Sequence, residues 1–202
     1  MVLAMSTFLV ALSVEGRECV VIGGDAEALK RAERLRACGA RVTVVWPELC
    51  DALSSWVCDT SSRWEARAPV EDDIAARPFV VVSTPRDEAL SRWLSALAAR
   101  EGVLLCCVDQ PGFSNYAHVA TTDAGTLTLG VSSGGAAPAL VSRLRDALSD
   151  GLDDDFAAFT RAVAALRART PPSQRRAALD AALEGLRVEL RVSLPEGWRR
   201  DE

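Results

Sequence analysis

The sequence lacks several features that would assign it to a membrane, nucleic-acid or metal-binding class. No apolar run in its 202 residues approaches the roughly 18 residues that a membrane-spanning helix needs. The formal net charge is −5, whereas nucleic-acid binding needs Lys and Arg clustered on one face. Histidine occurs once, as His118, with no partner at metal-ligand spacing. We therefore expect a soluble protein without a membrane anchor, a nucleic-acid partner or a permanent metal site.

Cysteine is present, but not in a pattern that indicates disulfides or a zinc site. The six cysteines include no Cys-x-x-Cys pair, and most lie in apolar or helical stretches, where a thiol packs as a small hydrophobic group. The apolar stretch 1–14 lacks the basic start of a secretory signal. These features predict a reducing, cytoplasmic location.

The first half of the chain alternates β-branched apolar runs with segments of helical periodicity. Segments 26–37 and 87–100 place Ala and Leu three and four residues apart, as in helices that pack one face on a sheet. Strands are predicted at 19–22, 42–46, 79–83 and 103–108, with a weaker one at 64–66. The alternation predicts an α/β fold with a Rossmann-like parallel sheet over residues 1–112.

The pattern changes after residue 108. Two strand-like runs, 117–121 and 126–131, surround a turn at Asp123-Ala124-Gly125, and a helix with proline in its first turn is predicted at 138–148. These elements predict a small α+β unit over 113–150. Two further helices, at 153–169 and 173–192, predict a helical domain over 151–202.

A glycine turn joins the first predicted strand to the first helix. In this context the backbone N–H groups at a helix N-terminus can bind phosphate. If Gly23 and Ala28 are the outer positions of the dinucleotide fingerprint, Asp25 replaces its middle glycine and would repel a pyrophosphate. A tight turn without a ligand is the alternative. Only Glu48 could bind a ribose hydroxyl after the second strand, so the choice between NAD and NADP stays open.

Three other places could contribute to a reaction. Asp109 follows the strand 103–108, and the carboxyl ends of parallel strands border a ligand crevice, although the residue could equally be a turn former. The segment 132–135, Ser-Ser-Gly-Gly, could bind an anion or only cap the next helix. For His118 a packed or surface position is favoured over proton transfer.

Five segments of the chain stand in the order and spacing of a known family. They are Gly16-Arg17, 21–24, 39–44, Val108-Asp109 and 131–138. Together they resemble the siroheme synthase dehydrogenase and chelatase module over most of residues 7–150. The resemblance implies NAD-dependent oxidation of precorrin-2 to sirohydrochlorin, with Fe2+ inserted as a substrate in bifunctional members. It also implies a homodimer in which 113–150 is the dimerisation unit. Because the sequence ends at Glu202, the fused methyltransferase half is not expected.

The resemblance also implies roles for individual residues. Asp109 corresponds to the proposed general acid–base of the family, and Ser133 to a serine at the substrate cleft that is phosphorylated in some relatives. Together with Ser132, Gly134 and Arg143, Ser133 is expected to bind the substrate's carboxylates. The expected cofactor contacts are Gly23, Gly24, Asp25, Ala26, Glu27, Pro47, Glu48 and Thr84.

Three positions depart from the family's pattern. Asp25 replaces a glycine, Pro85-Arg86 replace an acidic pair, and Val119 replaces a proline. Two of the three lie on the nucleotide side, so they weaken the expectation of dehydrogenation more than that of substrate binding or chelation. Two alternatives therefore stay open: a chelatase with a decayed nucleotide site, and a non-catalytic relative that binds a tetrapyrrole or a nucleotide.

Overall fold

The β-branched runs of the first half form five parallel strands in the computed structural model, which describes residues 8–197. The strands are β1 (Glu18–Ile22), β2 (Arg41–Val45), β3 (Arg63–Glu65), β4 (Val80–Ser83) and β5 (Leu104–Cys107). Their order in the sheet is β3-β2-β1-β4-β5. The chain therefore leaves β1 first toward one edge and then toward the other, which creates a switch point between β1 and β4. The predicted Rossmann-like parallel sheet is confirmed.

Helices cover both faces of this sheet, and the burial of the strands shows it. Side chains alternate between the two faces of a strand, so Cys19 and Val21 of β1 pack in one core and Val20 and Ile22 in the other. A strand that is buried on both faces reads as an unbroken apolar run, as residues 19–22 of β1 and 80–82 of β4 do. The helices of this unit are α1 (Ala26–Ala37), α2 (Asp51–Thr60), α3 (Asp72–Ala75) and α4 (Glu88–Glu101).

The chain divides into two units between His118 and Val119, and these are called the first unit and the second unit below. The second unit starts with an antiparallel hairpin, β6 (Ala120–Ala124) and β7 (Leu127–Val131), which turns at Gly125-Thr126. The helices α5 (Pro138–Asp150), α6 (Asp154–Arg169) and α7 (Arg175–Ala182) follow. The three-part division at 1–112, 113–150 and 151–202 remains a prediction.

The turn of this hairpin is joined to α6 by the side chains of Thr160 and Thr126, and the Thr126 hydroxyl donates to the carbonyl oxygen of Thr160 at 3.1 Å. The Thr160 hydroxyl donates to the carbonyl oxygen of Ala124 at 2.8 Å and accepts from the Thr126 N–H at 3.1 Å. A Cβ at Gly125, which has φ +63°, would lie 2.2 Å from the carbonyl oxygen of Ala157. The backbone of the hairpin turn therefore packs directly against the backbone of α6. Only glycine leaves room for this contact at position 125.

The predicted last helix, 173–192, is wrong beyond Ala182. Gly185 has φ +83°, the left-handed conformation that commonly ends a helix. Beyond it the apolar residues Val188, Leu190 and Val192 recur at every second position, whereas a helical face needs a period of 3.6. These side chains are exposed. None of the helices within residues 8–197 is long and apolar enough to cross a membrane.

Candidate active site

The glycine turn lies where three loops converge at the carboxyl edge of the sheet. Gly23 has φ +138°, and a Cβ there would lie 2.1 Å from Oγ1 of Thr84, in the loop after β4. A Cβ at Gly24 would lie 2.0 Å from the carbonyl oxygen of Glu48, in the loop after β2. The Gly24 carbonyl in turn accepts from the Cys50 N–H at 2.7 Å. Both glycines are therefore required by the approach of protein atoms, whether or not a ligand binds.

Asp25 places a carboxylate at the N-terminus of α1. Its Oδ1 accepts from the Ala28 N–H at 2.9 Å and from the Thr84 hydroxyl at 3.1 Å. Asp25 is thus the N-cap of the helix and satisfies one of its free amides. A phosphate at this helix end would have to use the amides that remain. The carboxylate that the sequence predicts would repel a pyrophosphate therefore lies at the N-terminus of α1.

Two open cavities flank Asp25 at the switch point between β1 and β4. The larger one, about 490 Å³, is bordered by the loops after β4 and β5 and includes Asp109, so we call it the Asp109 cavity. The other, about 380 Å³, includes the glycine turn and Glu48, and we call it the Glu48 cavity. Asp25, Thr84 and Pro85 line both. In open α/β sheets this edge is where ligands bind, and the volumes are in the range of ligand sites.

Asp109 lies two residues after the end of β5 and has a left-handed backbone conformation, with φ +59°. The loops after β4 and β5 are joined by two hydrogen bonds. The Val108 N–H donates to the carbonyl oxygen of Ser83 at 2.8 Å, and the side-chain amide of Gln110 donates to that of Pro85 at 3.2 Å. This bracing brings the Arg86 guanidinium onto the Asp109 carboxylate, and the two form an ion pair.

The structure adds two arginines that the sequence analysis did not include among the site residues. Arg31 on α1 and Arg86 both line the Asp109 cavity. Arg31 pairs with Glu27 at 2.5 Å, and its buried Nε has no hydrogen-bond partner within residues 8–197. The cavity wall therefore carries two guanidinium groups among three carboxylates, those of Asp25, Glu27 and Asp109. The helical period gave a signal for Arg31, because it follows Glu27 by one turn on the first helix.

The remaining predicted cofactor positions are spread over the same edge of the first unit. Ala26 and Glu27 form the first turn of α1, and only Glu27 reaches the Asp109 cavity. Pro47 lines neither cavity described above. It borders a third one, of about 370 Å³, together with Trp46 and Trp93. The structure thus brings Asp109, Gly23, Gly24, Asp25, Glu27, Glu48 and Thr84 to one edge, with Pro47 beside them.

The predicted substrate contacts lie in the second unit. The Ser133 hydroxyl accepts from the Ala137 N–H at 2.9 Å, and the Ser132 hydroxyl accepts from the Gly134 N–H at 3.2 Å. Both serines therefore close the turn that leads into α5, and Gly134 allows it with φ +61°. Arg143 is exposed on α5 and forms no ion pair within the described residues. A role of these four residues in substrate binding remains a prediction.

His118 lies beside Tyr116 in the first unit, and the two rings meet edge to face with centroids 5.3 Å apart. Desolvation, together with the positive charge of Arg31, lowers the pKa of His118 to about 4. The imidazole is therefore neutral near pH 7, so that its Nε2 can accept from the Tyr116 hydroxyl at 3.3 Å. His118 is nevertheless exposed to solvent, so its place agrees with a surface histidine that lies against Tyr116. Within residues 8–197 no three His, Cys, Asp or Glu side chains are grouped as metal ligands.

A nicotinamide dinucleotide fits this edge in position and size. The glycine turn presents backbone without side chains, and the two cavities adjoin at Asp25, Thr84 and Pro85. Glu48 is available for a ribose hydroxyl, as in other dinucleotide sites. Asp25 is the exception, because its carboxylate lies where the helix N-terminus would receive the pyrophosphate.

Residues 10–120 match the model of a family described as "Putative NAD(P)-binding". The siroheme synthase of Thioalkalivibrio sulfidiphilus is 31% identical over 202 residues, which cover 98% of this chain and 41% of that protein. The precorrin-2 dehydrogenase of Priestia megaterium is 27% identical over 76% of this chain and 75% of its own length. The chain thus spans less than half of that siroheme synthase.

A solved structure, titled "SirC, precorrin-2 dehydrogenase", has the same fold. It superposes with a TM-score of 0.70 over 87% of this chain and 88% of its own, at 23% identity. The fold, the match over residues 10–120 and the identity over nearly the whole chain agree. The chain therefore belongs to the NAD(P)-binding family that forms the N-terminal module of siroheme synthases.

Proposed function

We propose that the protein oxidises precorrin-2 to sirohydrochlorin with NAD as the hydride acceptor, in siroheme biosynthesis. The observation that carries this proposal is the position of Asp109. Its carboxylate lines the same cavity as the N-terminus of α1, at the switch point of a sheet whose family binds NAD(P). The names of the relatives, siroheme synthase and precorrin-2 dehydrogenase, supply the substrate.

The residues of the Asp109 cavity suit this oxidation, which removes a hydride and a proton from the substrate. NAD, when bound, supplies the hydride acceptor. Asp109 would accept the proton, because an exposed carboxylate at a strand end can act as a general base. The guanidinium groups of Arg31 and Arg86 give the cavity wall two positive charges, which suit a substrate with several carboxylates. From the resemblance alone, we also propose Ser132, Ser133, Gly134 and Arg143 as substrate contacts.

We further propose NAD rather than NADP, because Glu48 adds a negative charge to the cavity that would hold the ribose. A carboxylate there accepts from a 2′-hydroxyl and repels a 2′-phosphate. The free state of all six cysteines supports the proposed cytoplasmic location, since thiols stay reduced there.

We also propose a homodimer. Of residues 119–197, only Thr122 and Ala124 are buried, although the second unit contains amphipathic helices such as α5. An isolated two-stranded hairpin is at best marginally stable. A partner that covers apolar surface such as Leu140 of α5, which is 57% exposed, would stabilise this unit.

One other function has a specific observation in its favour. Because Asp25 already occupies the N-terminus of α1, the chain could insert Fe2+ into sirohydrochlorin without using a nucleotide. In that case Asp109 would remove pyrrole protons while iron enters as a substrate. A non-catalytic relative that binds a tetrapyrrole is the third candidate.

Two measurements separate these functions. Reduction of NAD in the presence of precorrin-2, followed by absorbance, is expected for the wild-type protein and for Asp59→Asn, an exposed control on α2. Asp109→Asn should reduce turnover at least a hundredfold, since general base catalysis contributes factors of about 10² to 10⁴. No NAD binding at millimolar concentration by calorimetry would exclude the dehydrogenase. Iron insertion into sirohydrochlorin would then distinguish a chelatase from a carrier.

A further inference from the structure

The side chain of Arg86 lines the Asp109 cavity and, in the described part of the chain, makes no contact that stabilises the surrounding loops or helix. The structure gives its side chain one ion pair, with Asp109, and no other hydrogen bond or ion pair within residues 8–197. The neighbouring α4 is capped by Asp87, which accepts from the Leu90 N–H at 3.0 Å. Arg86 thus contributes neither to the helix cap nor to the hydrogen bonds that brace the two loops.

The ion pair between Arg86 and Asp109 is exposed, so breaking it costs little free energy. The side chains are 76% and 58% exposed, and ion pairs between exposed groups contribute little to stability. Asp109 does not depend on the arginine for its position, because its backbone is held by the neighbouring loop hydrogen bonds. Another carboxylate could therefore replace Asp109 as the partner of Arg86.

The charges of the cavity show why such a carboxylate would need Arg86. Asp25, Glu27 and Asp109 contribute three negative charges to the wall, and Arg31 contributes one positive charge that already pairs with Glu27. The charged side chains of the wall sum to −1 with Arg86 and to −2 without it, so Arg86 halves the net negative charge that an anionic ligand meets. Arg86 is the exposed cation on this wall, and a guanidinium binds a carboxylate with two parallel hydrogen bonds.

We propose that Arg86 binds a carboxylate of the tetrapyrrole and thereby releases Asp109. The incoming carboxylate takes the place of Asp109 on the guanidinium, and the Asp109 carboxylate becomes free to accept a proton from the substrate. Arg86 thus selects anionic substrates and couples their binding to the availability of the base. This inference rests on the proposed function, since it takes the substrate to be a polycarboxylate.

Binding of sirohydrochlorin to the protein without cofactor tests the inference independently of turnover. Arg86→Gln should bind about tenfold more weakly than wild type, the factor expected for one lost charge-assisted hydrogen-bonded contact. Arg86→Lys should restore part of the affinity. The control Arg63→Gln removes an equally exposed arginine, 74% exposed and paired with Glu65 on β3, and should bind as wild type does. Equal binding by Arg86→Gln and Arg63→Gln would overturn the inference.

If a substrate carboxylate replaces Asp109 on the Arg86 guanidinium, removing the Asp109 charge should also affect binding. A contact with Arg86 alone would not have this effect. In Asp109→Asn the guanidinium is released from its partner, so sirohydrochlorin should bind at least as tightly as in wild type and up to about tenfold more tightly. Weaker binding by Asp109→Asn would show that the two groups do not compete, and would also overturn the inference.

Kinetics distinguish failure of the inference from failure of the proposed function. With precorrin-2 and NAD, Arg86→Gln should raise KM about tenfold and change kcat much less, while Asp109→Asn should lower kcat. Weak binding by Arg86→Gln without any NAD reduction in wild type would refute the dehydrogenase and leave Arg86 as a tetrapyrrole contact. Normal turnover in wild type with unchanged KM in Arg86→Gln would refute the inference alone. No sirohydrochlorin binding by wild type would overturn the inference, while NAD reduction with precorrin-2 would still decide the proposed function.

Discussion

Replacement of Asp25 by asparagine should separate its structural role from its charge. The amide oxygen of the introduced side chain can accept the same hydrogen bonds from the Ala28 N–H and the Thr84 hydroxyl, and Asn and Asp are equally good N-caps. What the variant loses is the negative charge at the positive end of α1, worth about 0.3 to 1 kcal/mol. Asp25→Ala loses the cap as well, which costs about 1 kcal/mol more.

The Asp25→Asn variant should also bind NAD more tightly. Two unit charges 4 Å apart repel by about 4 kcal/mol at an effective dielectric constant of 20. Asp25 is exposed, so water and salt reduce this repulsion. We expect about 1.4 kcal/mol to remain, which corresponds to about tenfold higher affinity. The gain should shrink at high salt, because screening weakens the repulsion in the wild-type protein.

Calorimetric titration with NAD at low and high salt measures the affinity, and urea unfolding measures stability. Asp59→Asn is the matched control, since it removes an exposed aspartate far from the glycine turn in sequence. If Asp25→Asn binds NAD no more tightly than Asp59→Asn at low salt, the carboxylate does not oppose the cofactor. Asp25 would then act only as the N-cap of α1.

Three further predictions concern packing and pH. Gly24→Ala should destabilise the protein by about 3 kcal/mol in urea unfolding, because its Cβ would lie 2.0 Å from the carbonyl oxygen of Glu48. Thr160→Val should cost about 1 to 3 kcal/mol in the same assay, because it leaves the Ala124 carbonyl without this donor. The pKa of His118, about 4 when folded, lies below that of an unfolded histidine, so its contribution to stability is present above about pH 6.5 and is lost as the pH falls toward 4. His118→Gln should therefore lose less stability than wild type between pH 7.5 and 4.5, and equal losses would contradict the shift.

The sheet could be predicted from the sequence because its strands are buried on both faces. Each of the four clear strands was placed within one residue of its observed bounds at both ends. The helix α2 was not predicted, since its Ser, Thr, Trp and Val residues favour a helix only weakly and only Leu53 and Val57 are buried. The last predicted helix extended too far because residues 188–192 are apolar but have the period of a strand.

The site was less predictable than the fold. The charge of Asp25 could be interpreted from its place in the fingerprint, but its bond to Thr84 joins positions 59 residues apart. Arg86 was noted from the sequence only as a departure from the family's pattern on the nucleotide side, and its place beside Asp109 could not be foreseen. Its contact with Asp109 arises only when β4 and β5 are neighbours in the sheet. Such contacts depend on strand order, which hydrophobic periodicity does not encode.

Asp25 and Arg86 both differ from the family's pattern, and their side chains carry opposite charges at different places along the carboxyl edge of the sheet. Asp25 adds a negative charge where both cavities adjoin, so it opposes the pyrophosphate of a dinucleotide. Arg86 adds a positive charge that lines the Asp109 cavity and does not line the Glu48 cavity. Asp25 opposes an anion in either cavity, whereas Arg86 offsets part of this negative charge in the Asp109 cavity. If the two charges act in this way, Asp25→Asn should change the dissociation constant of NAD and Arg86→Gln that of sirohydrochlorin, and the ratio of the two constants measures the balance directly.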